Sequence, residues 1–302
     1  MPSIARDTLA GAGHRRQREL SHENSMPELP EVESVRSGLE PYVVGRSFAA
    51  VDVLHPRANR GQEAPLSALL VGRKIAAVAR RGKFMWLEFA GEDHTDPARD
   101  VLFIHLGMSG QVRIGEVDSP HVRIAAVLDD TTRLSFVDQR TFGYWRLGPW
   151  LSMAHIAPDP LEADFDLTAA GRRLRAKRTA VKVALLDQTV LSGVGNIYAD
   201  EALWAAQISP LKKASALRQR DAVAVISAAA DVMRSALAVG GTSFDALYVN
   251  VNGESGYFDR SLHIYGRGGQ PCDRCGEEIL KTVLGGRGTH YCPSCQSRGV
   301  GR

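Results

Sequence analysis

The sequence predicts an α+β protein with more than one domain. Short apolar runs with a period of two residues fill the stretch between about 46 and 148, and helical patterns follow Pro149. Four cysteines then lie close together near the C-terminus. The chain has 302 residues, of which 44% are hydrophobic and 24% charged. This composition suits a globular protein of about two domains with buried cores.

Charge and cysteine usage narrow the class of protein. A net charge of +3 and a pI near 8.7 are mildly basic, which permits a nucleic-acid partner without requiring one. No apolar run approaches the roughly 20 residues of a membrane span, so we expect no membrane association. The clustered cysteines argue against the dispersed disulfides of a secreted domain, and we expect a cytoplasmic protein.

The stretch Met26-Pro27-Glu28 resembles a translation start, with a methionine followed by a proline and an acid. If Met26 is the start and is removed, Pro27 carries a free secondary amine with a pKa of roughly 8. Such an amine can act as a nucleophile, whereas any residue attached upstream converts it into an amide. Residues 1–25 lack the apolar segment of a secretory signal. We therefore expect residues 1–26 to be a disordered, processed or wrongly assigned tail.

A helix is expected from Pro30. Pro30 suits a first helical turn, and Glu31 and Glu33 complement the positive end of the helix dipole. Apolar residues at i, i+3 and i+7 share one face, and the helix is expected to end near Gly38. For Glu33 a simple charge at the helix start is the favoured interpretation.

The next hundred residues predict an antiparallel β-structure. Short strands at this spacing, separated by turn-like segments, are typical of a sandwich or a barrel. The predicted strands are 48–53, 83–89, 101–105, 122–127 and 133–137.

The segment after Pro149 predicts helices at 167–176, 180–188, 198–206 and 219–238. Between the second and third lies Ser192-Gly193-Val194-Gly195-Asn196, whose glycines would let the backbone approach a ligand closely. On spacing alone this signal is weak, and an ordinary turn between helices is the favoured interpretation. A basic run from Arg172 to Lys182 is either a solvated face or a phosphate-binding surface.

The C-terminal cysteines have the spacing of a four-cysteine zinc ribbon, Cys272-x2-Cys275-x16-Cys292-x2-Cys295. Four thiolates would leave no open coordination position, so one structural Zn²⁺ is expected rather than a catalytic one. Between the two pairs, a glycine-rich hairpin tip presents Arg287, whose guanidinium suits a phosphate.

Seven motifs in order resemble the bacterial formamidopyrimidine-DNA glycosylase family. The resemblance covers about 27–297. It implies an N-terminal β-sandwich with an N-terminal helix (27–150), a helix–two-turn–helix domain (151–262) and a four-cysteine zinc finger (263–298). The motifs are PELPEVES (27–34), RRGKF (80–84), HLGMSG (105–110), DQRTFG (138–143), SGVGNIYADE (192–201), YGRGGQPC (265–272) and the zinc ribbon.

The resemblance also implies an activity. Members of the family excise oxidised purines from duplex DNA and then cut the strand at the abasic site. In this sequence Pro27 matches the nucleophile that forms an imine with the sugar before β,δ-elimination. Glu28 matches its acid/base partner. Glu31 matches a supporting acid. Lys83 matches a catalytic residue of the family that also binds a DNA phosphate.

Further positions match the family's contacts to damaged double-stranded DNA. The target base must leave the stack, and Met108, Arg140 and Phe142 match the residues that fill the gap. Without the flanking motifs, Met108 and Phe142 would be assigned to a core. The phosphate contacts fall on His105, Asn196 and Arg287.

We call Met108, Arg140 and Phe142 the wedge residues, and the motif DQRTFG (138–143) departs from the family pattern at two positions. Gln139 stands where the family often has Pro or Val, and Thr141 stands where a basic residue is common. Since Arg140 and Phe142 are retained, we expect altered contacts rather than lost function.

Three other functions compete with this one. An endonuclease VIII-like enzyme would share the fold and nucleophile but act on oxidised pyrimidines, although PELPEVES favours the purine enzyme. A non-catalytic lesion-binding protein would result if the tail stays attached to Pro27. A generic zinc-ribbon module would explain only about the last thirty residues. For the glycosylase we expect a monomer.

Overall fold

A computed structural model describes residues 26–239 and 262–297, so the predicted tail up to residue 25 lies outside the described residues. The first described range opens with α1 and then forms eight strands in two antiparallel sheets, ordered β1-β6-β7-β5 and β2-β3-β4-β8. The elements are α1 (Leu29–Val43), β1 (Phe48–Val53), a 3-10 turn (Pro56–Asn59), α2 (Leu66–Leu70), β2 (Ile75–Arg81), β3 (Phe84–Phe89), β4 (Asp100–His105), β5 (Gly110–Ile114), β6 (Val122–Leu128), β7 (Arg133–Asp138) and β8 (Tyr144–Pro149).

The two sheets face each other across one apolar core, which makes this part of the chain a sandwich rather than a barrel. In β6 buried residues alternate with half-buried ones, whereas β3 and β4 are buried on both faces, and α1 closes one side of the core. The five predicted strands are present within two residues at each end. Three strands were not predicted, namely β2, β5 and β8.

Helix α1 is longer than expected. It continues past Gly38 and Pro41 to Val43, because its apolar face continues as well. Leu39 and Val43 are both fully buried in the sandwich core, and this burial outweighs the loss of one backbone donor at Pro41.

Helices dominate after β8, as predicted. Their apolar faces form a second core, which also receives Leu29 from the start of α1. The elements are a 3-10 turn (Trp150–Met153), α3 (Leu167–Arg175), α4 (Val181–Leu185), α5 (Asn196–Ala205), a 3-10 turn (Ala214–Ala216) and α6 (Gln219–Leu237).

The chain then forms one antiparallel hairpin, β9 (Leu280–Leu284) and β10 (Arg287–Tyr291). Its two-residue turn, Gly285-Gly286, has positive φ at both positions, as this tight hairpin type requires. Arg287 is therefore the first residue of β10, next to the turn.

An ion-pair network joins the sandwich to the segment before the helices. Arg80 on β2 contacts Glu33 at 2.7 Å and Asp159 at 2.8 Å, and Asp159 is fully buried. The same oxygen of Asp159 also accepts from the backbone N–H of Gly82 at 2.8 Å. The expectation of a simple helix-start charge at Glu33 was wrong, because this carboxylate lies in the network beside the Gly82-Lys83 turn.

Within the described part of the chain, each helix is too short or too polar to cross a membrane.

Candidate active site

Glu28 lies where α1 meets the helical core. Its side chain is buried, and its carboxylate accepts three backbone hydrogen bonds from the start of α5. The donors are the N–H groups of Gly195 (2.7 Å), Ile197 (2.9 Å) and Tyr198 (3.3 Å). A carboxylate at a helix N-terminus is favoured by both the free N–H groups and the helix dipole.

Burial nevertheless dominates the titration of Glu28. Desolvation raises the pKa of this carboxyl to about 7, although Lys83 and the helix N–H groups favour the charged form. Glu28 therefore gains or loses its proton near neutral pH, as a general acid/base requires.

Glycines let the two domains approach this closely. A Cβ at Gly195 would overlap the carboxylate of Glu28, and a Cβ at Gly193 would lie 2.6 Å from Leu29. A Cβ at Gly82 would likewise lie only 2.6 Å from the backbone nitrogen of Gly193. The glycines of Ser192–Asn196 thus serve close approach between domains, and the interpretation as an ordinary turn between helices was wrong.

A small cavity of about 80 Å³ opens beside Glu28. It is lined by Lys83 from the β2–β3 turn, Asn196 at the start of α5, and Arg287 from the zinc-ribbon hairpin, together with Met26. Four predicted site residues from four distant parts of the chain therefore meet at one place.

Lys83 is half-buried at this cavity. Desolvation lowers its pKa, while the nearby carboxylate of Glu28 raises it and Arg287 lowers it further. Pro27 is buried at the same point, between Met26 and Glu28. A free amine at Pro27 would therefore stand next to the carboxyl that titrates near pH 7.

Glu31 lies behind Glu28 rather than in the cavity. One of its oxygens accepts from the backbone N–H of Glu28 at 2.9 Å, and the other accepts from the Tyr198 hydroxyl at 2.8 Å. Glu31 thus fixes the first turn of α1 against α5. Tyr198 was not predicted, because only the fold brings it to Glu31.

His105 does not line the central cavity. It packs between Phe84 and Tyr144 at ring separations of 5.9 Å and 5.2 Å, beside a separate cavity of about 230 Å³. Burial and the positive charges of Lys83 and Arg60 lower the pKa of this imidazole to about 4. His105 is therefore neutral at physiological pH.

The predicted wedge residues lie together on two neighbouring loops. Met108 follows β4, and Arg140 and Phe142 follow β7. A guanidinium nitrogen of Arg140 lies 3.7 Å from the sulfur of Met108, and Phe142 is 48% exposed. Phe142 is therefore not a core residue, as it would have been assigned without the flanking motifs.

Asp138 organises both wedge loops and was not singled out from the sequence. This fully buried carboxylate accepts from the Ser109 hydroxyl (2.6 Å) and from the backbone N–H groups of Arg140 (3.1 Å) and Gly143 (2.7 Å). An aspartate at the end of a strand gave no distinct signal. Thr141, one of the two departures, is buried between them with a φ of 56°.

The four predicted cysteines converge at the base of the hairpin. The sulfurs lie within 4.8 Å of one another, with Cys272–Cys295 at 3.9 Å and Cys275–Cys292 at 3.5 Å. Zn–S bonds of about 2.3 Å in a tetrahedron place the sulfurs about 3.8 Å apart, so these residues fit a zinc ion.

Buried charges dock the hairpin on the helical domain. Lys182 contacts Asp200 at 2.7 Å and donates to the carbonyl oxygen of Gly288 at 2.6 Å. The second oxygen of Asp200 accepts from the backbone N–H of His290 at 2.9 Å. Lys182 therefore belongs neither to a solvated face nor to a phosphate-binding surface, since it is fully buried against the residue that follows Arg287.

The fold and this site define the chain as a zinc-finger protein with a helix–two-turn–helix (H2TH) domain. Three family models match it in order: the formamidopyrimidine-DNA glycosylase N-terminal domain (26–145), the formamidopyrimidine-DNA glycosylase H2TH domain (156–247), and the zinc finger found in FPG and IleRS (269–298). The chain belongs to the formamidopyrimidine-DNA glycosylase family, which confirms the predicted family and fold class.

Relatives match over nearly their full length. The formamidopyrimidine-DNA glycosylase of Corynebacterium aurimucosum is 95% identical over 277 residues, covering 92% of this chain and 98% of that protein. The Fpg protein of Thermus thermophilus is 36% identical, with a TM-score of 0.78 over 90% of this chain and 100% of that one. The Lactococcus lactis Fpg, solved with DNA containing an abasic site, is 33% identical, with a TM-score of 0.77 over 89% and 99%.

Proposed function

We propose that this protein is a bifunctional DNA glycosylase and abasic-site lyase that removes oxidised purines from damaged duplex DNA. The observation that carries the proposal is the buried Glu28 carboxyl, which titrates near pH 7 beside Pro27 and the cavity lined by Lys83, Asn196 and Arg287. Family membership supports the same activity.

In the proposed mechanism, Pro27 acts through a free N-terminal amine. The nitrogen attacks C1′ of the damaged nucleotide, the C1′–base bond breaks, and the base leaves. A secondary amine then yields a cationic imine, which accepts electrons during β- and δ-elimination. Glu28 in its protonated form supplies a proton to the ring oxygen of the sugar and assists ring opening. Glu31 holds the backbone N–H of Glu28 and so keeps that carboxyl in place.

The DNA contacts divide into two groups. Met108, Arg140 and Phe142 enter the space left by the extruded base, and the exposure of Phe142 supports this role. The remaining cationic and polar side chains hold phosphates around the lesion, and these are Lys83, His105, Asn196 and Arg287.

One structural Zn²⁺ held by Cys272, Cys275, Cys292 and Cys295 would keep the hairpin folded. We propose a monomer that acts in the bacterial cytoplasm on the nucleoid, where its DNA substrate lies. The proposed domains are 27–150, 151–262 and 263–298, preceded by the tail.

Cleavage assays with a chain that begins at Pro27 test this function. We expect excision from duplexes with 8-oxoguanine opposite cytosine, with both strand breaks that flank the lesion. Preference for thymine glycol would favour the endonuclease VIII-like alternative. Tight binding without cleavage of either duplex would favour the non-catalytic alternative.

A further inference from the structure

Trp204 lies beside the four-cysteine cluster and has no part in the chemistry proposed above. It occupies the last turn of α5, the helix whose first turn holds the carboxylate of Glu28. Its side chain is 8% exposed and shares an apolar cluster with Ile264, Ile279, Cys272 and Cys292. The same helix therefore connects the central cavity with the metal site.

The indole N–H of Trp204 donates a hydrogen bond to the Sγ of Cys272 at 3.4 Å. Two side chains hold the ring. His263 stacks on it with a centroid separation of 4.5 Å and an interplanar angle of 15°. The guanidinium carbon of Arg274 lies 4.0 Å from the ring centroid, and this side chain also donates to the Trp204 carbonyl oxygen at 3.0 Å. The N–H is thus kept aimed at the sulfur.

A hydrogen bond to a metal-bound thiolate withdraws negative charge from the sulfur. The thiolate is the form of cysteine that attacks electrophiles, so this withdrawal slows attack. Groups that contact metal ligands in this way commonly change metal affinity or activity about 10- to 100-fold when they are removed.

We propose that Trp204 protects the metal site by lowering the nucleophilicity of Cys272, and thereby slows the loss of zinc to electrophilic reagents. The proposal rests on zinc binding by the four cysteines. The Trp204→Phe variant tests it, because phenylalanine keeps an aromatic ring in the cluster while it removes the N–H donor together with the second ring.

The test measures zinc release from the holoprotein during reaction with iodoacetamide, using a chelating dye. In this reaction the cysteine sulfur forms a C–S bond and iodide leaves with the electrons of the C–I bond. We expect W204F to release zinc about tenfold faster than the unsubstituted protein. Trp86→Phe is the matched control, because Trp86 donates its indole N–H to Glu88 at 3.0 Å in the sandwich. W86F should release zinc at the unsubstituted rate.

Peptide mass mapping separates a specific effect from general loosening. Cys275 is the exposed member of the four, so we expect it to be alkylated first in the unsubstituted protein. In W204F the first alkylation should move to Cys272. Equal release rates in W204F and the unsubstituted protein, or acceleration spread evenly over the four cysteines, would overturn the proposal. Elemental analysis that finds no zinc in the purified protein would instead refute the zinc assignment itself.

Discussion

At the scale of single residues, Glu28 is subject to two opposing effects. Three backbone N–H groups stabilise its charged form, but removal from water destabilises that form more and raises the pKa to about 7. A carboxyl with an ordinary pKa would be ionised at neutral pH and could not donate a proton there.

The first prediction concerns the pH dependence of kcat/KM for the chain that begins at Pro27. The active form needs a neutral amine, with a pKa of roughly 8, together with a protonated Glu28, with a pKa of about 7. The rate should therefore rise up to about pH 7, stay level to about pH 8, and fall at higher pH because Glu28 is then ionised. Glu28→Gln should lower kcat/KM by about 10²- to 10⁴-fold and remove the alkaline fall.

Binding to a duplex with a tetrahydrofuran abasic analogue controls for damage to the fold in E28Q, and its affinity should change little. If kcat/KM of E28Q still falls at alkaline pH, a group other than Glu28 causes that fall.

The second prediction tests the close approach of the domains. Gly195→Ala would place a methyl group against the Glu28 carboxylate and should lower the free energy of unfolding by roughly 1–3 kcal/mol while reducing cleavage. Gly148→Ala is the matched control, because the nearest atom to its Cβ would lie 3.8 Å away. Denaturant melts and cleavage rates measure both effects. Unchanged cleavage in G195A would show that Glu28 does not depend on this contact.

At the scale of elements, the three wedge residues lie on two loops, and one buried carboxylate holds these loops together. Asp138 bonds to both loops, so that Met108, Arg140 and Phe142 are presented together.

The third prediction is therefore non-additivity between Asp138 and Phe142. Asp138→Asn turns an accepting oxygen into an NH₂ donor, which then faces the backbone N–H groups that donate to Asp138. This change should reduce lesion-dependent unstacking about as much as Phe142→Ala does. The double variant should be no worse than either single one. Fluorescence of 2-aminopurine next to the lesion measures this unstacking. Asp129→Asn is the control, since Asp129 also accepts a backbone N–H, from Ser47, far from the wedge. If the losses of unstacking in the two single variants add up in the double variant, Asp138 does not act through the wedge residues.

The hairpin carries the fourth prediction. Arg287 lies next to a two-glycine turn that the cysteine cluster and Lys182 hold in place. Arg287→Ala should weaken DNA binding and reduce the salt dependence of log K by about one unit. Arg220→Ala, an exposed arginine on α6 outside the cavity, should leave that slope unchanged. If the salt dependence of log K is unaltered in R287A, Arg287 does not contact a phosphate.

At the scale of the whole molecule, the candidate active site lies at the seam between the domains. Helix α1 contributes its apolar face to the sandwich core and Leu29 to the helical core. Glu33, Arg80 and Asp159 form ion pairs across the same seam. Pro27 and Glu28 therefore stand where both domains meet.

The sequence predicted what local patterns can encode. The cysteine spacing, the alanine-rich α6 and the strands with alternating or continuous apolar residues were found. Strand β2 was missed because alanines and arginines blur its alternation, and β5 begins in a glycine-containing loop. Contacts between residues far apart in the chain could not be predicted from patterns. Glu28 and Gly195 are separated by 167 positions, and only the packed domains bring them together.

The central claim is that the amine of Pro27 is the nucleophile, and borohydride trapping tests it most directly. Two proteins should be compared on the same 8-oxoguanine duplex: the chain that begins at Pro27 and the full 302-residue chain with its tail attached. We predict a covalent protein–DNA adduct, with the label mapped to Pro27, from the first protein only. A comparable adduct from the protein with an intact tail would contradict the claim, because its Pro27 nitrogen is an amide.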